Sequence, residues 1–146
     1  MRYMIIVKAS PDSEAGAKPT EVLFARMAAY HAALAKAGIL VDASGLQATS
    51  RGWRVEVRGE RRSIVDGPFA ETKELIAGYT IIRVKSEQQA RDWTARFPNP
   101  NLDDSPWHIE VRRMFELDDF EPNPAVDVFR KLAGNGRRPG GEGVTP

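Results

Sequence analysis

The opening stretch MRYMIIVKAS (residues 1–10) contains Tyr3-Met4-Ile5-Ile6-Val7, and the reading of that run decides the fold. It is too short for a buried helix, and it is apolar at successive positions, as a strand covered on both faces would be. Residues 75–84 have the same character, with Tyr79, Ile81, Ile82 and Val84. Working outward from these two strands, residues 10–18 are polar with Pro11 and Gly16 and read as a loop. Pro19-Thr20-Glu21 opens a helix expected to run to about Ala37, since proline suits a first turn and an early carboxylate suits the helix dipole. Leu23, Met27, Tyr30 and Leu34 fall on one stripe of it, and Gly38 follows as the residue that ends it. Ile39-Leu40-Val41 begins another strand, which Ala43-Ser44-Gly45 turns or bulges. Trp53–Val57 and Ser63–Val65 flank Arg58-Gly59-Glu60 as a hairpin, and the alternation of Trp53, Val55 and Val57 with Arg54, Glu56 and Arg58 predicts a half-buried strand. Ser86 and Gln89 have capping-box spacing, which predicts a helix bearing Ala90, Trp93, Thr94 and Phe97, stopped by Pro98-Asn99-Pro100. Trp107 to Phe115 alternates and is the last strand.

With the hairpin set aside, the order is βαββαβ, the ferredoxin-like arrangement of an α+β domain. Its helices cover one face of the sheet only. Met4, Ile5, Ile6 and Val7, with Ile81 and Ile82, are apolar residues facing both ways, so the open face also needs cover, and a homodimer is the expected solution. The domain is expected over residues 1–120. Residues 121–146 form a Pro/Gly-rich tail with a turn or two of helix at Asp127–Leu132 and a disordered final dozen.

The chain has 146 residues, enough for one domain with a substantial core. Its net charge of +1 gives no whole-molecule field for nucleic acid or an anionic membrane. It has no cysteine, which excludes disulfides, thiolate metal sites and a cysteine nucleophile. No apolar run is long enough to span a membrane, and Lys8 interrupts the N-terminal one, so a soluble cytoplasmic protein is expected. Dinucleotide, P-loop, zincin and nucleophile-elbow motifs are missing, and no organic cofactor is expected. The two histidines, His31 and His108, are far apart, so no metal site is expected either. Arg51, Arg54, Arg58, Arg61 and Arg62 lie around Trp53, a pattern that in isolation suits nucleic acid, but Glu56 and Glu60 interrupt it and a solvated, ion-paired hairpin is the better reading.

The segment DGPFAETKE at 66–74 carries the candidate chemistry. Gly67-Pro68 makes a rigid turn and Phe69 is a wedge, so Asp66 is aimed at one spot with little freedom, as an acid/base group requires. The same Asp66 suits an architectural role, capping its own turn by accepting from the N–H of Phe69 or Ala70. Glu71 and Lys73 are candidates for an acid/base group beside Asp66, with a solvated turn as the alternative. Phe69 and Tyr79 are candidate walls and His31 a candidate contact for a small ligand; Phe69 and Tyr79 are also core candidates, and the alternative for His31 is a place on a helix flank. An enzyme and a non-catalytic binding or regulatory module both remain open.

DGPFAETKE followed by LIAGY (75–79), together with MRYMIIVKAS, MAAYHAALAKAGILVDASGL (27–46) and EVRRMFELDDF (110–120), resembles the DGPF subfamily of the YCII-related proteins over residues 1–120. The resemblance implies a dimeric α+β barrel. One branch of that wider family resembles a hydrolytic dehalogenase of aromatic compounds, with a His–Asp pair as its proposed site. In this chain Met27 stands where that histidine belongs, and Phe97-Pro98-Asn99-Pro100 offers no aspartate. The subfamily is also associated with alternative sigma factors, which implies a regulatory setting.

Overall fold

A computed structural model of the chain describes residues 1–103 and 105–135. Two compact units are present, Met1–Met114 and a second beginning at Phe115. The first is built on a four-stranded antiparallel sheet formed by β1 (Arg2–Lys8), β2 (Leu40–Gly45), β5 (Ile76–Arg83) and β6 (Ile109–Arg113), in the order β2-β5-β1-β6. β3 (Trp53–Arg58) and β4 (Arg61–Asp66) form a separate two-stranded hairpin. The mixed α+β class expected from the sequence is therefore present, with β1 at the centre of the main sheet.

The helices are α1 (Pro11–Glu14), α2 (Glu21–Lys36) and α3 (Glu87–Thr94). Thr20 rather than Pro19 starts α2, because its hydroxyl accepts from the Leu23 N–H at 3.2 Å. Gly38 takes φ +70° just past its end, a left-handed conformation that glycine adopts without strain. The sequence places α1 in a loop. There Ser10 and Ser13 cap each other reciprocally and Pro11 occupies the first position, which is enough for one turn of helix. β2 also runs through Ala43-Ser44-Gly45 instead of turning there, with a register shift between Leu40 and Asp42. At α3 Ser86 accepts from the Gln89 N–H as expected, but the Gln89 side chain reaches to the N–H of Lys85.

Strand alternation divides the residues between the two faces of the sheet. Tyr3 and Ile5 of β1 and Thr80 and Ile82 of β5 are buried on the helix-covered face, where Ile5 and Ile82 meet Tyr30 and Leu34 of α2, Ala90 of α3 and Phe97 in one core. Met4, Ile6, Tyr79 and Ile81 lie on the other face and are half-buried. Not every aromatic of the alternating runs is in the core: Trp53 is 64% exposed and Phe115 is 74% exposed. The hairpin's alternation is real, but both its strands are exposed along their whole length, which corrects the half-buried reading.

Tyr30 lends the core a pH dependence. Its hydroxyl donates to the Trp93 carbonyl at 3.0 Å, its ring meets Phe97 edge-on, and burial pushes its pKa up to about 12. A raised phenol pKa means the folded state keeps a proton that the unfolded chain releases near pH 10. Stability is thus intact below pH 10 and falls by roughly 2–3 kcal/mol between pH 10 and 12. Denaturant melts across that range are expected to show this fall, and Tyr30→Phe, which has no ionising group, is expected to flatten it. An unchanged alkaline slope in Tyr30→Phe would refute the assignment.

The second unit holds a short 3-10 turn at Leu117–Asp119 and α4 (Pro124–Asn135). Asn123 caps α4 by accepting from the N–H groups of Ala125 and Val126, and Arg130 reaches back to Asp118 at 2.6 Å. The helix is longer than the turn or two expected at Asp127–Leu132. The final dozen residues, read from the sequence as disordered, lie almost wholly outside the described residues. Among the described residues, no helix is long and apolar enough to cross a membrane.

Candidate functional site

β4 delivers Asp66 to the start of the turn, and the Gly67–Pro68 peptide that follows is cis. The turn is fastened to the segment before β3 by a short relay. The Gly67 N–H donates to the Gly52 carbonyl at 2.9 Å, and the Phe69 N–H donates to the Thr49 hydroxyl at 3.0 Å. Thr49 in turn donates its hydroxyl to Glu14 at 2.6 Å and its N–H to the same carboxylate at 3.2 Å. Glu14 is the last residue of α1, so the helix missing from the sequence reading is what anchors the motif. The Phe69 ring is held from the other side by the Arg54 guanidinium, 3.9 Å from its centroid. Beyond Phe69, Glu71 takes φ +64° and its carbonyl accepts from the Glu74 N–H at 2.9 Å.

An open groove of about 840 Å³ lies against this turn. Trp53, Phe69 and Ile76 give it apolar walls, and Arg51, Asp66 and Glu74 bring charge to it. Asp66 is exposed, and its carboxylate has no hydrogen bond or ion pair with another of the described residues. The architectural reading has Asp66 accept from the N–H of Phe69 or Ala70; the Phe69 donor is taken by Thr49, and Asp66 accepts from neither.

The remaining candidates are distributed differently. Glu71 and Lys73 are exposed and are not part of the groove's lining. Tyr79 lies on the sheet face away from α2 and donates its hydroxyl to Asp42 at 2.8 Å, an interaction that raises its pKa. His31 lies on the opposite, helix-covered side. A carbonyl only accepts, so its Nδ1, 2.7 Å from the Met27 carbonyl, carries a proton. In the neutral ring its Nε2 then accepts from the hydroxyl of Thr80 at 2.8 Å. Thr80 is only 2% exposed, so His31 satisfies a hydroxyl that would otherwise be buried without a partner. The structure therefore brings Asp66 and Phe69 to one place and leaves Tyr79 and His31 on opposite faces of the sheet. No group of three His, Cys, Asp or Glu among the described residues is placed to hold a metal ion.

Residues 1–116 match the YCII-related domain. The chain belongs to the YCII-related family. Among solved structures, a similar one is the 5-chloro-2-hydroxyhydroquinone dehydrochlorinase of Burkholderia phenoliruptrix AC1100 in complex with 2,5-dihydroxybenzoquinone. It is 14% identical, the alignment covers 79% of this chain and 94% of that one, and the TM-score is 0.39. Comparison with curated proteins gives no significant match. In this YCII-related chain the sequence reading missed Glu14 and Thr49, which hold the turn from 35 residues apart. The Ser10-Pro11-Asp12-Ser13 capping pattern was the available signal for α1, but nothing local in the sequence links Thr49 to the turn.

Proposed function

We propose that this YCII-related protein is a small cofactor-independent enzyme whose groove beside residues 66–74 takes a small organic molecule, with Asp66 as its acid/base group. One observation carries the reading: Asp66 borders an apolar-walled groove, while the work of fastening its turn is done by Thr49 and Glu14. A carboxylate that no other described residue engages, held at the end of a fastened turn, is placed to exchange a proton with a bound molecule. Trp53 and Phe69 favour a flat, aromatic molecule, and Arg51 offers a donor to a polar substituent. Glu71 and Lys73 stand beyond the lining and act, in this reading, on the charge around Asp66 rather than by contact. We also read the chain as a DGPF-subfamily member with a ferredoxin-like sheet whose open face pairs with a second copy. The sequence run 66–74, the strand order and the half-buried Met4, Ile6 and Ile81 support this.

Asp66→Asn separates the catalytic from the architectural role. It is expected to leave the melting temperature within the range of a neutral surface change, about ±0.5 kcal/mol. It is also expected to lower turnover by about 10²-fold or more for any aromatic compound that wild-type protein consumes. The check is thermal unfolding together with a turnover screen over small phenols and aromatic acids, with Trp53 fluorescence reporting binding. A clear loss of stability in Asp66→Asn, with turnover retained, would return the residue to the role of a turn cap.

A further inference from the structure

We propose that the β3–β4 hairpin is a pairing arm for a second copy of this chain, and that Arg62 of the second copy completes the groove beside Asp66. The second half of this statement rests on the groove reading above; the first half does not. Among the described residues the two strands pair only with each other, and a lone two-stranded hairpin is marginal in water. Four of its five large exposed apolar residues lie together, and the fifth, Val65, is on the other face opposite Arg54. The register sets Trp53 opposite Asp66, Val55 opposite Ile64 and Val57 opposite Arg62, so these six side chains share one face. On that face Trp53 is 64% exposed, Val55 and Val57 are each 54% exposed, and Ile64 is 70% exposed. The face is thus apolar along its middle, with a carboxylate at the groove end and a guanidinium at the tip end.

That charge order identifies the occupant. Laying one such face on another about a two-fold axis that crosses the strands at Ile64 reverses the strand direction. Ile64 then meets Ile64, and because Arg62 and Asp66 are equidistant from Ile64, each Asp66 meets Arg62 of the second copy. The face is complementary to itself in both shape of hydropathy and sign of charge, which is the requirement of a two-fold interface. The other face of the hairpin lacks this property. There Arg58 stands opposite Arg61, and Arg54 is turned to Phe69. Pairing through the first face covers the apolar stripe, closes the open groove at its Trp53–Asp66 end, and supplies a cation next to the proposed acid/base group from a chain other than its own.

The test is the mass of the full chain in solution by sedimentation equilibrium. Ile64→Glu is expected to halve the mass of the wild-type assembly. Arg62→Glu and Asp66→Arg are each expected to weaken association roughly tenfold or more, by setting like charges together. The double swap Arg62→Glu/Asp66→Arg is expected to restore it, because the complementary pair then re-forms with its sign reversed. Circular dichroism confirms that each variant is folded, and the double swap keeps the test decisive if a single variant is not. A monomeric wild type, an unchanged mass for folded Ile64→Glu, or a folded double swap that fails to re-associate would each overturn the proposal. The two readings fail separately. A monomer whose groove still binds an aromatic compound overturns the pairing alone, and a swap-sensitive assembly that binds none overturns the groove alone.

Discussion

Leu34→Ala is expected to remove about 2–5 kcal/mol of stability, the range for emptying a fully buried leucine site. Leu34 is 0% exposed and lies in the core cluster that includes Ile5, Ile82 and Tyr30. The loss comes from packing and not from the helix, since alanine is the better helix former of the two. A cavity at this point is bordered by the central strands and by a tyrosine whose hydroxyl is already committed to Trp93, so little of it closes by rearrangement. For a domain stable by about 5–15 kcal/mol, the change takes a large share of the whole. Urea unfolding is the measurement, with a lower midpoint and an unchanged slope. Phe24→Ala on the same helix is the control, because Phe24 is 69% exposed, and it is expected to move stability by no more than about 0.5 kcal/mol. Equal effects from the two variants would contradict the assignment of the core face of α2.

The contrast between Leu34 and Phe24 shows what was legible in the sequence. Period-3.6 patterning put Leu23, Met27, Tyr30 and Leu34 on one stripe; Leu23, Tyr30 and Leu34 are buried, and Met27 is half-buried against the core. Continuous apolarity likewise placed β1 and β5, because apolar runs too short for a buried helix leave few alternatives. The hairpin was legible as a hairpin, since alternation and a Gly-containing tip are local features. Its burial was not legible, because alternation states which residues share a face but not whether anything covers that face. The candidate site was half legible. Asp66, Gly67, Pro68 and Phe69 stand together in the sequence and stand together at the groove. The relay that fastens them runs from Glu14 through Thr49, and a hydrogen bond between residues so far apart leaves no periodic trace in either segment. His31 was legible as a polar residue on a helix flank. Its partner, Thr80, is the buried polar residue on the neighbouring strand, and only the packing of α2 on β5 identifies the pair.

Gly67→Ala is expected to cost about 3 kcal/mol or more, a larger effect than loss of any single hydrogen bond in the turn. A Cβ at Gly67 would lie 1.9 Å from the Thr49 carbonyl oxygen and 2.7 Å from its carbon. Both are backbone atoms, so no side chain can swing aside, and the 66–69 turn has to move away from residues 49–52. That movement breaks the bonds from Gly67 to Gly52 and from Phe69 to Thr49, and it carries Asp66 and Phe69 away from the groove. Gly52→Ala tests the same strand crossing from the other side. Gly52 has an extended backbone with φ −133°, and a Cβ there would lie 3.7 Å from the same Thr49 oxygen, an ordinary contact. It is expected to be nearly neutral. Thermal unfolding and amide exchange at Phe69 are the measurements: Gly67→Ala lowers the melting temperature and exposes the Phe69 N–H, while Gly52→Ala changes neither. If Gly67→Ala kept the Phe69 amide protected, the turn would be fastened by something other than Thr49. Because the main sheet takes no part in the contact, the damage in Gly67→Ala should also concentrate at the turn and the adjoining hairpin. Any loss of binding or turnover beyond that of the unfolded fraction then measures how much the groove depends on the position of Asp66.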